Sequence, residues 1–111
     1  MFLHEYGGDV RSWEPQARHF ARDHRCIVMC SRGYPPSDVP TDEILYGQDH
    51  AISDALEVMD QAGVSTAIVI GLSMGAYTGL RLAIEHSDRV TALVAASGGA
   101  GSPPEGLKVF Q

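Results

Sequence analysis

The chain has 111 residues, 44% of them hydrophobic and 20% charged, with a formal net charge of −6 at pH 7. That length holds one domain rather than two, and the composition is that of a folded chain rather than a disordered one. The acidic balance argues against a nucleic-acid footprint or an anionic-membrane dock, and no apolar run nears the roughly 20 residues of a membrane span. Met1-Phe2-Leu3-His4-Glu5 has neither the charge nor the apolar stretch of a signal peptide, so the expected chain is soluble and cytoplasmic.

In chain order, Phe2-Leu3-His4 reads as a short first strand. Trp13, Ala17 and Phe20 then recur at helical spacing after an N-cap at Ser12, with Pro15 in the first turn. Cys26-Ile27-Val28-Met29-Cys30 reads as the second strand. Extended chain puts its cysteine Cα atoms roughly 13 Å apart, too far for a disulfide, and both are expected as buried core thiols. No zinc-ligand spacing is present, and no metal or cofactor is expected. Arg32 to Asp38 forms a Gly/Pro loop in which Asp38 suits an Asx turn. From Gln48 to Ala62, Ala51, Ile52, Ala55, Leu56 and Met59 form one apolar stripe, while Asp49, Asp54, Glu57 and Asp60 face away. Gly63 stops that helix. Thr66 to Gly71 and Val90 to Ala95 are nearly continuous apolar runs, the pattern of parallel strands covered on both faces. The helix between them, Met74 to His86, is rich in small and apolar residues. A Gly/Pro loop follows from Ser97 to Pro104. The alternation specifies an α/β fold: a three-layer, mostly parallel sheet with helices on both faces.

The sharpest local signal is Gly71-Leu72-Ser73-Met74-Gly75, a G-x-S-x-G between strand and helix. There Ser73 occupies a strained turn that lifts its hydroxyl above the sheet, and the flanking glycines spare the turn two crowded Cβ atoms. The following helix turns its free N–H groups toward any oxyanion formed there. The plain alternative is a tight turn in which Ser73 caps the helix.

Three blocks in order resemble the α/β-hydrolase superfamily, in its serine-nucleophile branch. His4-Glu5-Tyr6-Gly7-Gly8 resembles its oxyanion loop, and Arg32-Gly33-Tyr34-Pro35-Pro36-Ser37-Asp38 its Arg-Gly-x-Gly-x-Ser-Asp loop. Gly71 to Gly75, with Arg89 to Val94 beyond, resembles its nucleophile elbow, helix and next strand. The resemblance implies the spatial strand order second, first, third, fourth, with a crevice where the order reverses. It also implies Ser73 as nucleophile, Tyr6 and Met74 as backbone oxyanion donors, Gly71 and Gly75 as elbow glycines, and a small-molecule substrate with an ester, thioester, amide or activated carbon–carbon bond. Serine rather than aspartate at position 73 argues against epoxide-hydrolase or haloalkane-dehalogenase chemistry.

This sequence departs from the family pattern in three ways. Glu5 stands where glycine is usual, and Pro35 or Pro36 replaces the second glycine of the Arg-Gly loop. Only 38 residues follow Ser73, with His86 the sole histidine among them, at the far end of the intervening helix, roughly 20 Å along its axis. Asp88 shares that end, and Glu105 has no histidine partner. Catalytic acid and base are therefore expected to be absent. His4 reads as structural, and His19, His24 and His50 as solvated; Met74 and Tyr77 are candidate pocket residues. Residues 1–111 thus read as a partial α/β-hydrolase core of about four strands and three helices, ending where a cap region starts near 101–105, and inactive in isolation. The alternatives are a non-catalytic anion-binding or interaction module, and a split-enzyme subunit completed by a second chain. An exposed last strand would allow self-association.

Overall fold

The computed structural model describes residues 1–99; the expected cap start near 101–105, Glu105 and the end of the 97–104 loop lie outside them. Four strands form one sheet: β1 (Phe2–Leu3), β2 (Val28–Met29), β3 (Ala67–Leu72) and β4 (Val90–Ala96). Their spatial order is β2-β1-β3-β4, all parallel. Three α-helices connect them: α1 (Glu14–Phe20), α2 (Gln48–Gln61) and α3 (Met74–Glu85).

The two faces of the sheet are dressed differently. Leu3 and Val69 join Ile52, Ala55 and Met59 of α2 and Leu82 of α3 in the main core. A Cβ at Gly79 of α3 would touch Val69 Cγ1 and Leu93 Cδ1, so the glycine lets the helix settle onto β3 and β4. On the opposite face Phe2 stacks against Trp13 and Phe20, with ring centroids 5.2 and 6.5 Å away. The α1 helix has seven residues, about 10 Å of length, and dresses only that part of its face. Ile68 and Val94, on the same side as Phe2 by register and alternation, are 46% and 52% exposed.

Several expectations need correction. Five residues expected in strands, His4, Cys26, Ile27, Cys30 and Thr66, lie outside them. Both cysteines are free and half-buried rather than core thiols, and the Cys30 thiol donates to Tyr34 O at 3.1 Å. Ser12 does not cap α1: a 3-10 turn, Val10–Trp13, precedes that helix, and Asp9 caps the turn by accepting from Arg11 N–H. The Ser12 hydroxyl instead donates to Glu5. A second 3-10 turn, Glu43–Leu45, leads into α2. The acidic face of α2 is not merely solvated, because Asp49, Asp54 and Asp60 pair with Arg81, Arg32 and Arg89. Asp38 makes no Asx turn; its backbone carbonyl accepts from Gly33 N–H at 2.8 Å. No residue of β4 is buried, although its composition matches a covered strand.

Candidate active site

β3 runs directly into Ser73, whose backbone has φ 52° and ψ −111°, before α3 begins at Met74. A residue with a Cβ pays about 1–3 kcal/mol for such a conformation, so packing must enforce it. The packing is visible at both flanks. A Cβ on Gly71 would collide with the Gly75 carbonyl, and one on Gly75 would collide with the carbonyls of Leu3 and His4. The first turn of α3 therefore lies against the ends of β1 and β3, where only glycine fits. Ser73 N–H donates to Ala96 O at 2.9 Å, tying the turn to β4, while Ser73 O accepts from Tyr77 N–H at 3.1 Å. The Ser73 side chain makes no capping bond and is exposed. That removes the plain helix-cap reading.

The loop after β1 is a type II turn from Glu5 to Gly8: Gly8 N–H donates to Glu5 O at 3.1 Å, and Gly7 has φ 77°, the value that position of the turn demands. His4 underpins it. The ring is fully buried, and Ser31 N–H donates to its Nε2 at 3.0 Å. Nε2 must then carry the lone pair, so Nδ1 carries the proton and donates to Glu5 O at 2.8 Å. Because the 5–6 peptide is trans, fixing the Glu5 carbonyl aims the Tyr6 N–H the opposite way. Tyr34 braces the same loop from the next one. Its hydroxyl accepts from Gly7 N–H at 3.3 Å, and its ring meets the His4 ring edge-on at 4.8 Å. Neither the Tyr6 nor the Met74 N–H has an acceptor among the described residues.

Glu5, the residue where glycine was expected, is part of this loop's frame. Its Oε1 accepts from Ser12 at 2.7 Å, and its carboxylate packs where a Cβ on Gly8 would sit. Its own backbone N–H first, and the Ser12 hydroxyl second, hold its pKa below the ordinary glutamate value. Nearby, the Arg11 guanidinium holds the Asp9 carboxyl down to about 2.

A cleft of about 590 Å³ opens between the two loops and α2. Tyr6, Met74 and Gly75 line one edge, Leu3 and Met29 its floor. Tyr77, a candidate for the same pocket, does not line it, while His50, expected in solvent, does. Sequence reading missed Arg32, Asp54, Tyr34 and Tyr46 as cleft residues. A basic residue in a loop and an acidic one on the next helix were the only available signal for the Arg32–Asp54 pair. The five histidines are all placed, and none hydrogen-bonds Ser73: His4 is locked as described, His50 Nε2 binds Ile44 O, and His86 caps the far end of α3. No cluster of three metal-binding side chains exists among the described residues, nor any helix long and apolar enough to cross a membrane.

A strand-turn-helix elbow at the crevice of a parallel sheet, facing a glycine-bearing loop, is the α/β-hydrolase arrangement. The chain belongs to the alpha/beta hydrolase fold family, whose model matches residues 1–109. It is 28% identical over 94 residues to mouse epoxide hydrolase 4, covering 85% of this chain and 26% of that protein. It is 31% identical over 111 residues to a protein named as a carbamate hydrolase, RutD, of Caulobacter segnis, covering 94% and 39%. The enol-lactonase of Burkholderia xenovorans LB400 superposes with a TM-score of 0.83 at 29% identity, covering 89% of this chain and 37% of that one. The chain thus spans between a quarter and two fifths of the length of these relatives.

Proposed function

We propose that this chain carries the nucleophile and oxyanion site of a serine hydrolase that works through an acyl-enzyme. Ser73 Oγ adds to a substrate carbonyl while its proton passes to a base, and the N–H groups of Tyr6 and Met74 hold the resulting oxyanion. The tetrahedral adduct collapses to a Ser73 ester as the leaving group departs with a proton. Water then attacks that ester, releasing the acid and restoring Ser73. Loss of one oxyanion donor typically costs about 10²–10³ in rate. The observation that carries the proposal is Ser73 held at φ 52° between two glycines with no room for a Cβ.

The named relatives include epoxide hydrolases as well as acyl hydrolases, and the identity of residue 73 separates these chemistries. Serine opening an epoxide would leave an ether, which water does not cleave under mild conditions. An acyl serine is an ester and turns over. Carbamates and lactones, the compound classes in two of the relatives' names, are both acyl compounds.

The base and its carboxylate partner come from outside this chain, which is therefore nearly inactive alone. Incubation with an activated ester, followed by peptide mapping, tests both parts. An acyl group on the Ser73 peptide with turnover close to that of Ser73→Ala is the expected result. Enzyme-like turnover lost in Ser73→Ala would contradict the missing base, and acylation elsewhere would contradict the nucleophile.

A further inference from the structure

In the cleft beside the two proposed oxyanion donors, every charged side chain and most of the polar ones are already engaged with the protein. Arg32 donates to both oxygens of Asp54, at 2.9 and 2.7 Å, and to Leu45 O at 2.7 Å. Gln48 Oε1 accepts from Thr78 at 3.0 Å, and His50 Nε2 faces Ile44 O at 3.1 Å. The Tyr46 hydroxyl donates to Pro40 O at 2.7 Å, and that of Tyr34 accepts from Gly7 N–H. What remains for a guest is mostly ring face and aliphatic surface, over a floor of Leu3 and Met29, with the Ser31 and Tyr6 hydroxyls and the Gln48 amide as its uncharged polar groups. The cleft's one cation and one anion cancel as a pair, so a charged guest would lose its hydration without gaining a counter-ion. Its volume of about 590 Å³ lies within the range of small-molecule sites.

We infer that this cleft receives an uncharged, predominantly apolar acyl group, of a size that includes a single aromatic ring, from the substrate whose carbonyl the Tyr6 and Met74 N–H groups hold. The assignment deepens the acyl-transfer reading and rests on it for the position of the carbonyl. Substrates bearing a carboxylate or ammonium on the acyl side are excluded by the same argument.

The test uses three molecules of one shape and different charge, phenylacetamide, phenylacetate and 2-phenylethylammonium, titrated into the chain while methyl resonances are followed. Phenylacetamide is expected to shift the Met29 and Met74 methyls and to bind about tenfold tighter than either ion. Ala51→Phe, which fills the cleft from α2, should abolish those shifts; if it does not fold, the charge series on the unaltered chain decides alone. Tighter binding of an ion, shifts centred away from the cleft, or no binding by any of the three overturns the inference. Ser73→Ala should bind phenylacetamide as well as the parent does. Loss of cleft binding and loss of Ser73 acylation are therefore read separately.

Discussion

The two ends of the sheet are built on different principles. At the carboxyl end, backbone meets backbone: the start of α3 presses on Leu3 and His4, Ser73 is strained, and loops 4–8 and 31–38 are bolted together by His4 and Tyr34. At the amino end, long side chains do the fastening. Arg89 reaches Asp60 at 2.7 Å, Ser65 O at 2.6 Å and Val64 O at 3.2 Å, with the Asp60 side chain itself well exposed. Rigid, crowded backbone holds an N–H or a hydroxyl to a fraction of an ångström, which is what oxyanion stabilisation requires. Flexible ionic side chains tie helix to strand but position nothing that finely.

If that contrast is right, substitutions at the two ends should differ sharply. Gly75→Ala drives a Cβ into two carbonyls and should cost about 3 kcal/mol or more, because backbone cannot yield as a side chain does. Gly79→Ala, a turn further along the same helix, meets only the tips of Leu93 and Val69 and gains helix propensity, so its urea midpoint should stay near the parent's. Equal effects at the two glycines would break the comparison. Arg89→Ala should cost about 1–2 kcal/mol, since it removes several bonds from a partly exposed cation. Ser73→Gly should raise stability by about 1 kcal/mol in the same assay by releasing the strained turn, while removing the hydroxyl proposed to be acylated. The smallest effect belongs to Glu5. Its folded pKa is depressed, so its contribution is whole above the ordinary glutamate value of about 4.3 and is lost as pH falls below that value through the lower folded one. Glu5→Gln should flatten that acid limb of the stability curve, and an unchanged limb would remove Glu5 from the loop's frame.

The sequence makes the carboxyl end partly legible and leaves the amino end nearly silent. Gly71 and Gly75 around Ser73, between an apolar run and a small-residue helix, mark the turn locally, and the periodicity of 48–62 marks α2. The bracing of the site is another matter. Gly7 with Tyr34, His4 with Ser31 and Arg32 with Asp54 are pairs 22 to 27 residues apart, and no local pattern records which loop tips meet. The same blindness put Asp54 on a solvated face. β3 and β4 show a different limit. Both read as strands covered on both faces, yet only β3 has buried residues, because composition records the affinity of a strand for cover and not whether cover lies over it. Cys26 and Cys30 fell half-buried for a related reason: β2 is only two residues long, so an apolar run of five does not continue as sheet.

On the acyl-enzyme proposal Ser73 is a formed nucleophile with no histidine bonded to it among the described residues. Intact mass after incubation with a fluorophosphonate, with and without added imidazole, tests it most directly on the chain and on Ser73→Ala. One slow phosphonyl adduct on Ser73, accelerated by imidazole in the role of a catalytic histidine, and none in the variant, is the expected result. A folded chain that stays unlabelled even with imidazole, or that labels equally in Ser73→Ala, would contradict it.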